Sequence, residues 1–343
     1  MNFAIIGAGM AGLACADVLR AAGHSVGLFD KGRGPGGRMS TRRLHTSLGS
    51  VTIDHGAQYF TARDPAFKRL VGTWAELGIT ERWPPAGAEA WIGVPGMNAI
   101  VKQMAAAHAV KWGNLVTGMV RKSKAWWLMG EAGEIGPFDA VVLAIPAEQA
   151  VAILSIHDFS MARVALMARS QPCWTGMFVF DRPLDGLPSV VRNRGNIAWA
   201  ARNNAKPGRP EPEAWIVQAS ATWSGAMLEE SPELIAELLF ADLSKAANCA
   251  LPQPIAALSH RWRYALSAGT GDGALWNPEL GLGVCGDWLL GPRVECAWLS
   301  GRMLAQSCIG SDRTLNAATP HAPGFFQAVG ELASNSAGSD SGP

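Results

Sequence analysis

Four apolar residues, Phe3-Ala4-Ile5-Ile6, lead straight into Gly7-Ala8-Gly9-Met10-Ala11-Gly12. An alanine-rich stretch then reaches Gly23-His24, and Ser25-Val26-Gly27-Leu28-Phe29 reads as a second strand ending at Asp30. Strand, glycine turn, helix, strand and acid in that order commit the start of the chain to a β-α-β nucleotide-binding unit. Glycines let the backbone approach a pyrophosphate at a helix N-terminus, where free N–H groups and the helix dipole favour an anion. The acid at the end of the second strand accepts from a ribose hydroxyl. Gly7, Ala8, Gly9, Met10, Ala11 and Gly12 are therefore the expected pyrophosphate turn. Asp30 is the expected ribose ligand, with Lys31 on the same edge.

Beyond Asp30 comes Lys31-Gly32-Arg33-Gly34-Pro35-Gly36-Gly37-Arg38. A bare Rossmann unit closed by an acid suits NAD. The added run prolongs the phosphate and adenosine neighbourhood and favours FAD, with Gly37 and Arg38 as further ligands. Two later features agree. Leu280 to Asp287 reads as another strand ending in an acid, which brings Asp287 toward a ribityl hydroxyl or the pyrophosphate. A helix expected from Val294, preceded by Arg293, aims backbone amides at a flavin carbonyl.

The 343 residues suffice for one large or two medium domains with cores that need no staples. A formal charge of +1, with 17% charged and 48% hydrophobic residues, gives no reason to expect a nucleic-acid or anionic-membrane surface. Arg33, Arg38, Arg42 and Arg43 form a local basic cluster. Because it follows the nucleotide unit directly, it reads as phosphate binding within one ligand. Six cysteines lack CxxC spacing, so neither a disulfide framework nor a metal site is expected, and Cys15 and Cys285 read as buried free thiols. The amino terminus enters a strand at once, leaving no room for a signal peptide, and no uninterrupted apolar stretch has the length of a membrane span. A cytoplasmic protein fits best. Fourteen tryptophans suggest aromatic walls for a planar ligand.

The fold class expected is α/β: a Rossmann-like domain assembled from 1–60, 92–160 and 256–310, with an inserted α+β substrate domain from 61–91 and 161–255. Helices are predicted over 65–77, 98–108, 232–247 and 294–306, and strands near 115–120, 125–129, 138–145, 174–180, 197–201 and 215–222. Arg121 to Lys124 reads as a hairpin tip, and Gly208 to Glu213 as an exposed loop. The tail over 311–343 is expected to be partly disordered, with a brief helix over 325–332.

The chain resembles the FAD-dependent oxidoreductases of the amine-oxidase type, and within them the bacterial renalases. The resemblance rests on the Gly7–Gly12 turn, Leu28 to Lys31 with Gly36 to Ser40, and Asp54-His55-Gly56-Ala57-Gln58-Tyr59-Phe60-Thr61-Ala62-Arg63. It continues through Trp91-Ile92-Gly93 with Pro95-Gly96-Met97, Ala201-Arg202-Asn203 with Lys206-Pro207, and His260-Arg261-Trp262 with Tyr264-Ala265. Cys285 to Trp288 and Arg293 to Gly301 complete it, so that it covers roughly 1–310. The pattern departs at Gly291-Pro292 and at Cys296, where glycine is usual, so a thiol could crowd the helix start.

The resemblance implies an amine-oxidase/p-hydroxybenzoate-hydroxylase-like architecture and noncovalent FAD, with the Val120 backbone meeting adenine. It implies an oxidase for the 1,2- and 1,6-dihydro isomers of NAD(P)H, with hydride passing to flavin N5 and O2 becoming H2O2, a metabolite-repair reaction. The partners expected are those isomers and O2, with no nucleic acid or membrane and the oligomeric state open. Gly56, Ala57, Gln58, Tyr59, Phe60, Pro95, Gly96 and Met97 are the implied substrate segments. Trp199, Arg202, Asn203, His260 and Trp288 join them from later in the chain. A dihydropyridine gains aromaticity on losing hydride, so no catalytic base is required and the work is positioning. The alternatives are an amine or polyamine oxidase, an oxidase of a carotenoid-like hydrocarbon, and a non-catalytic FAD-bound interaction protein. Arg202, Asn203 and Lys206 tip the reading toward a dinucleotide.

Overall fold

Asn2–Ile6 and Ala140–Leu143 are almost wholly apolar, so they belong where both faces of a sheet are covered. In the computed structural model, which describes residues 1–131, 133–209 and 212–315, they sit side by side at the centre of a six-stranded sheet. Its order is Leu275–Asn277, Leu282–Val284, Ala140–Leu143, Asn2–Ile6, Ser25–Phe29, Val110–Lys111. All neighbours are parallel except the first pair. Side chains alternate between faces along each strand. Phe3, Ile5, Leu28 and Val142 pack with the first helix, Met10–Ala21, and the last, Val294–Leu315. Ala4, Ile6, Val141 and Leu143 pack with helices Ala147–His157 and Phe159–Met167. A smaller sheet, Val116–Lys122 with Ala125–Gly130 and Gly133–Phe138, adjoins this second layer.

The second large sheet is antiparallel, in the order Val190–Arg194, Ile197–Arg202, Ala214–Ala219, Ser170–Val179, Ala256–Ser267. Trp174, Phe178, Trp215 and Val217 cover one face and bury Ile235, Leu239 and Leu243 of helix Pro232–Ala247. That helix begins where Ser231 accepts the Leu234 amide before Pro232, and ends at Asn248 in a left-handed conformation. The architecture is therefore a Rossmann-like FAD-binding domain joined to an α+β substrate domain, as the sequence anticipates.

Several expectations change. The strand Ala256–Ser267 belongs to the second sheet, pairing with Ser170–Val179, and the nucleotide-side sheet resumes only at Leu275. The 256–267 stretch alternates with period two and carries no break at 256, so it continues the antiparallel sheet. Helix Pro65–Glu76, expected with the substrate domain, buries Phe67, Val71 and Trp74 in the same core as the first and last helices. The last helix runs past Gln306 to Leu315, so 311–315 is helical and the expected 325–332 helix lies outside the described residues. In the loop read as exposed, Arg209 and Glu213 are buried. Charged composition predicts exposure only for side chains without partners, and both have them. Among the described residues no helix is long and apolar enough to cross a membrane.

Candidate active site

The glycine turn is built for close approach. Gly7 has φ +104°, and a Cβ there would stand 2.3 Å from the Ala144 carbonyl oxygen. Gly12 lies tight against the Gly7 carbonyl oxygen, whereas a Cβ on Gly9 would meet nothing within 4 Å. Gly9 also starts the first helix, and no side chain caps it. An uncapped helix N-terminus under open space is a cradle for a diphosphate. Asp30 accepts from the Ala8 amide at 2.7 Å and the Gly32 amide at 2.7 Å, which fixes its carboxylate at the turn with lone pairs to spare. Gly37 abuts Gly9, and Lys31 is exposed. These residues fit the pyrophosphate and ribose of FAD.

Arg38 and Asp287, expected as separate ligands, meet in a two-pronged ion pair at 2.7 and 2.5 Å that joins the start of the chain to its end. Arg293 is exposed, 3.6 Å from the buried Glu295, and Val294 opens the last helix. Glu295 also accepts from the Arg63 and Asp64 amides, so the helix start is tied to helix Pro65–Glu76. Val120 is half-buried on the small sheet, opposite Trp127.

The face of the antiparallel sheet away from helix Pro232–Ala247 carries one row across all its strands. Arg192 stands opposite Trp199, Trp199 opposite Gln218, Gln218 opposite Thr175, and Thr175 opposite His260. Residues directly opposite in antiparallel strands share a face. The 54–60 segment lies over this row: Gln218 donates to the Gly56 carbonyl at 2.8 Å, and Tyr59 lies 5.2 Å from Trp199 between ring centres. His55 lies 4.9 Å from His260 and stacks on Trp262 at 5.2 Å. A Cβ on Gly56 would strike the Arg38 carbonyl oxygen at 2.1 Å, so this crossing admits only glycine. Two polar atoms here are buried without a partner, Trp199 Nε1 and His55 Nδ1.

Burial, the neighbouring His260 and Arg42 push the His55 imidazole down to about 3, and His260 is lowered by burial and by Arg42. Both rings are neutral at pH 7. Behind the segment lies a sealed ionic knot. Asp54 accepts from Lys206 at 3.3 Å and Arg209 at 2.5 Å, and Lys206 donates to Gln58 at 2.9 Å. Burial pushes Asp54 up, but Lys206, Arg209 and the Met97 amide overcome it and hold the carboxyl at about 2. Burial pulls Lys206 down to about 8, with Asp54 opposing. Asp54 and Asp287 are thus both taken up by cations.

The structure brings Gly56, Ala57, Tyr59, Trp199 and His260 together and sends other expected substrate contacts elsewhere. Arg202 turns to the opposite face of the sheet, 3.2 Å from Glu213 and over the Trp215 ring, because it is out of phase with Trp199. Asn203 is fully buried, donating to the Thr52 carbonyl and accepting from the Asp54 amide. Phe60 is core, against Phe67, and Trp288 is buried with its indole donating to the Ile145 carbonyl. Gln58 belongs to the ionic knot. Gly96 and Met97 brace it, the Met97 amide donating to Asp54, while Pro95 is exposed. Sequence reasoning missed Thr175, Gln218 and Arg192, which strand alternation could have placed beside Trp199, and Trp262, whose indole donates to the His55 carbonyl. Among the described residues no group of three His, Cys, Asp or Glu side chains is placed to hold a metal ion.

A model of the family described as flavin containing amine oxidoreductase matches residues 77–309, and one described as NAD(P)-binding Rossmann-like domain matches 5–74. Renalase from Mus musculus is 25% identical over 288 residues, 76% of this chain and 84% of that protein. Cyclohexylamine oxidase from Brevibacterium oxydans superposes with a TM-score of 0.69 at 14% identity, over 92% of this chain and 99% of the other. Putrescine oxidase bound to putrescine gives 0.65 at 14% identity, over 90% and 99%. At such identities the two structures speak for the fold alone.

Proposed function

The chain belongs to the flavin containing amine oxidoreductase family, and from that premise we propose that it oxidises the 1,2- and 1,6-dihydro isomers of NAD(P)H to NAD(P)+ in the cytoplasm, as metabolite repair. It is an FAD-dependent oxidoreductase with noncovalent FAD. In this reading Gly7 to Gly12, Asp30, Lys31, Gly37, Arg38, Val120, Asp287, Arg293 and Val294 hold the cofactor. When bound, FAD supplies the hydride acceptor and passes the electrons to O2, giving H2O2.

The observation that carries the substrate is the orphaned indole N–H of Trp199 on a face with no free carboxylate. A buried donor without a partner costs about 1–3 kcal/mol, which a ligand acceptor recovers. The carboxamide oxygen of a nicotinamide is such an acceptor. Tyr59 and Trp199 orient the planar ring, and Gln218 keeps Gly56 over the sheet. The neutral His55 and His260 are poor bases, which a dihydropyridine tolerates because it loses hydride alone.

Amine oxidation is the second reading, and the family description supports it more directly than the first. The Tyr59 ring would then receive the ammonium, since the Arg192 guanidinium already lies 4.6 Å over the Trp199 ring. Anaerobic mixing of the FAD-loaded protein with both dihydro isomers, with 1,4-NADH and with a panel of amines separates the two. Bleaching of the flavin by the isomers alone supports the first reading. Reduction by amines with no response to the isomers overturns it.

A further inference from the structure

Helices Ala147–His157 and Phe159–Met167 meet at a corner that turns large apolar side chains to solvent. Ile156 is 80% exposed, Phe159 73%, Leu166 57% and Met167 75%. Scattered apolar residues on a surface are ordinary, but a cluster of them marks a site of contact. Phe159, Arg163, Leu166 and Met167 fall at helical spacing on one face, while Met161, Ala162 and Ala165 fill the core on the other. Beside the exposed face runs a groove of about 470 Å³. Asp158, Ser160 and Val164 form one wall, and Trp276 and Asn277 of the Leu275–Asn277 strand form the other. Asn277 ties the walls together by donating to Asp158 at 2.8 Å.

The end of the described chain lies next to this groove. Leu275–Asn277 is the edge strand of the six-stranded sheet. The last helix packs on the face of that sheet opposite to Phe159–Met167, and its Ser311 accepts from the Trp276 indole at 3.2 Å. Leu315 follows Ser311 by four residues, about 6 Å along the helix axis. The chain therefore leaves the last helix at the edge of the sheet, beside the groove. Residues 316–343 hold one cluster of large apolar side chains, Phe325, Phe326, Val329 and Leu332, at the spacing of a helix face. The ten residues from Leu315 to Phe325 span up to roughly 33 Å, against about 14 Å for the whole of helix Phe159–Met167. The charges match as well. Residues 316–343 include Glu331 and Asp340 and no Lys or Arg, whereas Arg163 on the exposed face and Arg169 beyond it have no ion-pair partner among the described residues.

We infer that the tail crosses the edge of the sheet and docks residues 325–332 on the exposed face of helix Phe159–Met167 in the same molecule. The aromatic and aliphatic side chains of the segment cover Phe159, Leu166 and Met167, and the acids of the tail offset Arg163 and Arg169. The docked tail joins the layers on the two faces of the sheet around its edge strand. The inference rests on neither reading of the substrate.

Hydrogen exchange of the FAD-loaded full chain, read by mass spectrometry, tests the docking. In the wild type the amides of 325–332 should exchange more slowly than those of an isolated peptide of the same sequence. Phe325→Ser combined with Phe326→Ser should speed exchange over 156–167 by roughly ten-fold, the effect of losing part of the burial of two phenylalanines, and leave the antiparallel sheet unchanged. Phe159→Ser combined with Met167→Ser should speed exchange over 325–332 in turn. Phe159 and Met167 are exposed, so this second variant removes nothing from the core and should retain FAD as the wild type does. Tail amides that exchange at the rate of the isolated peptide, or a helix whose exchange ignores the tail substitutions, overturn the docking. Protection over 156–167 that grows with protein concentration, alongside a dimer in sedimentation, assigns the face to a second copy. Protection that appears only with vesicles of phosphatidylglycerol and phosphatidylcholine assigns it to a lipid surface. Either result overturns the inference.

Discussion

Arg202 shows how one residue of strand phase redirects a side chain. It follows Trp199 by three positions, so it emerges on the other face of the sheet, where Glu213, the Leu184 carbonyl and Trp215 receive it. Its partner Glu213 is only 3% exposed. Arg202→Ala takes the guanidinium from that carboxylate, to which the Trp215 indole, the Leu184 amide and the Asn204 side chain still donate, and the expected loss is about 1 kcal/mol of stability. A lower melting temperature with unchanged substrate KM is the anticipated result; a raised KM at unchanged stability would return Arg202 to the substrate site. Asn203 and Lys206 share this fate, since burial and local partners absorb both. Trp199 and His260, in phase with each other across the sheet, both point to the face beneath the 54–60 segment.

At the scale of elements, the nucleotide half depends on how closely its first and last helices approach. A Cβ on Gly301 would stand 2.1 Å from the Ala11 carbonyl oxygen, so the two backbones touch there. Gly301→Ala forces them apart at a cost of about 1–3 kcal/mol, the usual range for overpacking. Because the first helix opens the FAD turn, weaker FAD retention during dialysis should accompany the lower melting temperature. Retention equal to the wild type would separate the helix contact from the turn. The element types were readable where period and caps agree: Pro232–Ala247 lies between Ser231 and Asn248 as the residues suggest. Strand Ala256–Ser267 was readable as a strand, but its sheet was not, because alternation gives the face pattern without naming the neighbour.

For the whole molecule, FAD touches segments from both ends of the chain in the proposed site, so its binding adds directly to folding stability. At a hundred-fold excess over Kd the gain is about 2.7 kcal/mol, a rise in melting temperature of roughly 4 °C for a chain of this size. Arg38→Ala should shrink that rise. Acid acts on the second domain's seam. The unfolded chain protonates His55 near 6.5 and the folded chain only at about 3, so stability falls as pH drops through that window. His260 pulls the same way, and the limiting slope per histidine is about 1.4 kcal/mol per pH unit. Below 3.8 the stability that Asp54 lends is lost as pH falls toward 2. Urea midpoints measured from pH 7 to 4.5 should decline, and His55→Gln should flatten the decline; an identical slope in the variant would assign it elsewhere.

By itself the sequence determined the nucleotide cradle, because every requirement there is local: Gly7, Gly9 and Gly12 set the turn, and Asp30 ends the adjoining strand. It also determined the class of fold, since the continuous apolar runs of the parallel strands and the alternation along Ala256–Ser267 differ in period. The substrate face was decided only in three dimensions. Its row, Arg192, Trp199, Gln218, Thr175 and His260, draws one residue from each of five strands, and registry between distant strands appears in no local pattern. The choice of which arginine stays free is likewise tertiary. Arg38 and Arg42 look alike in the sequence, and only the approach of Asp287 from the far end of the chain neutralises one and leaves the other.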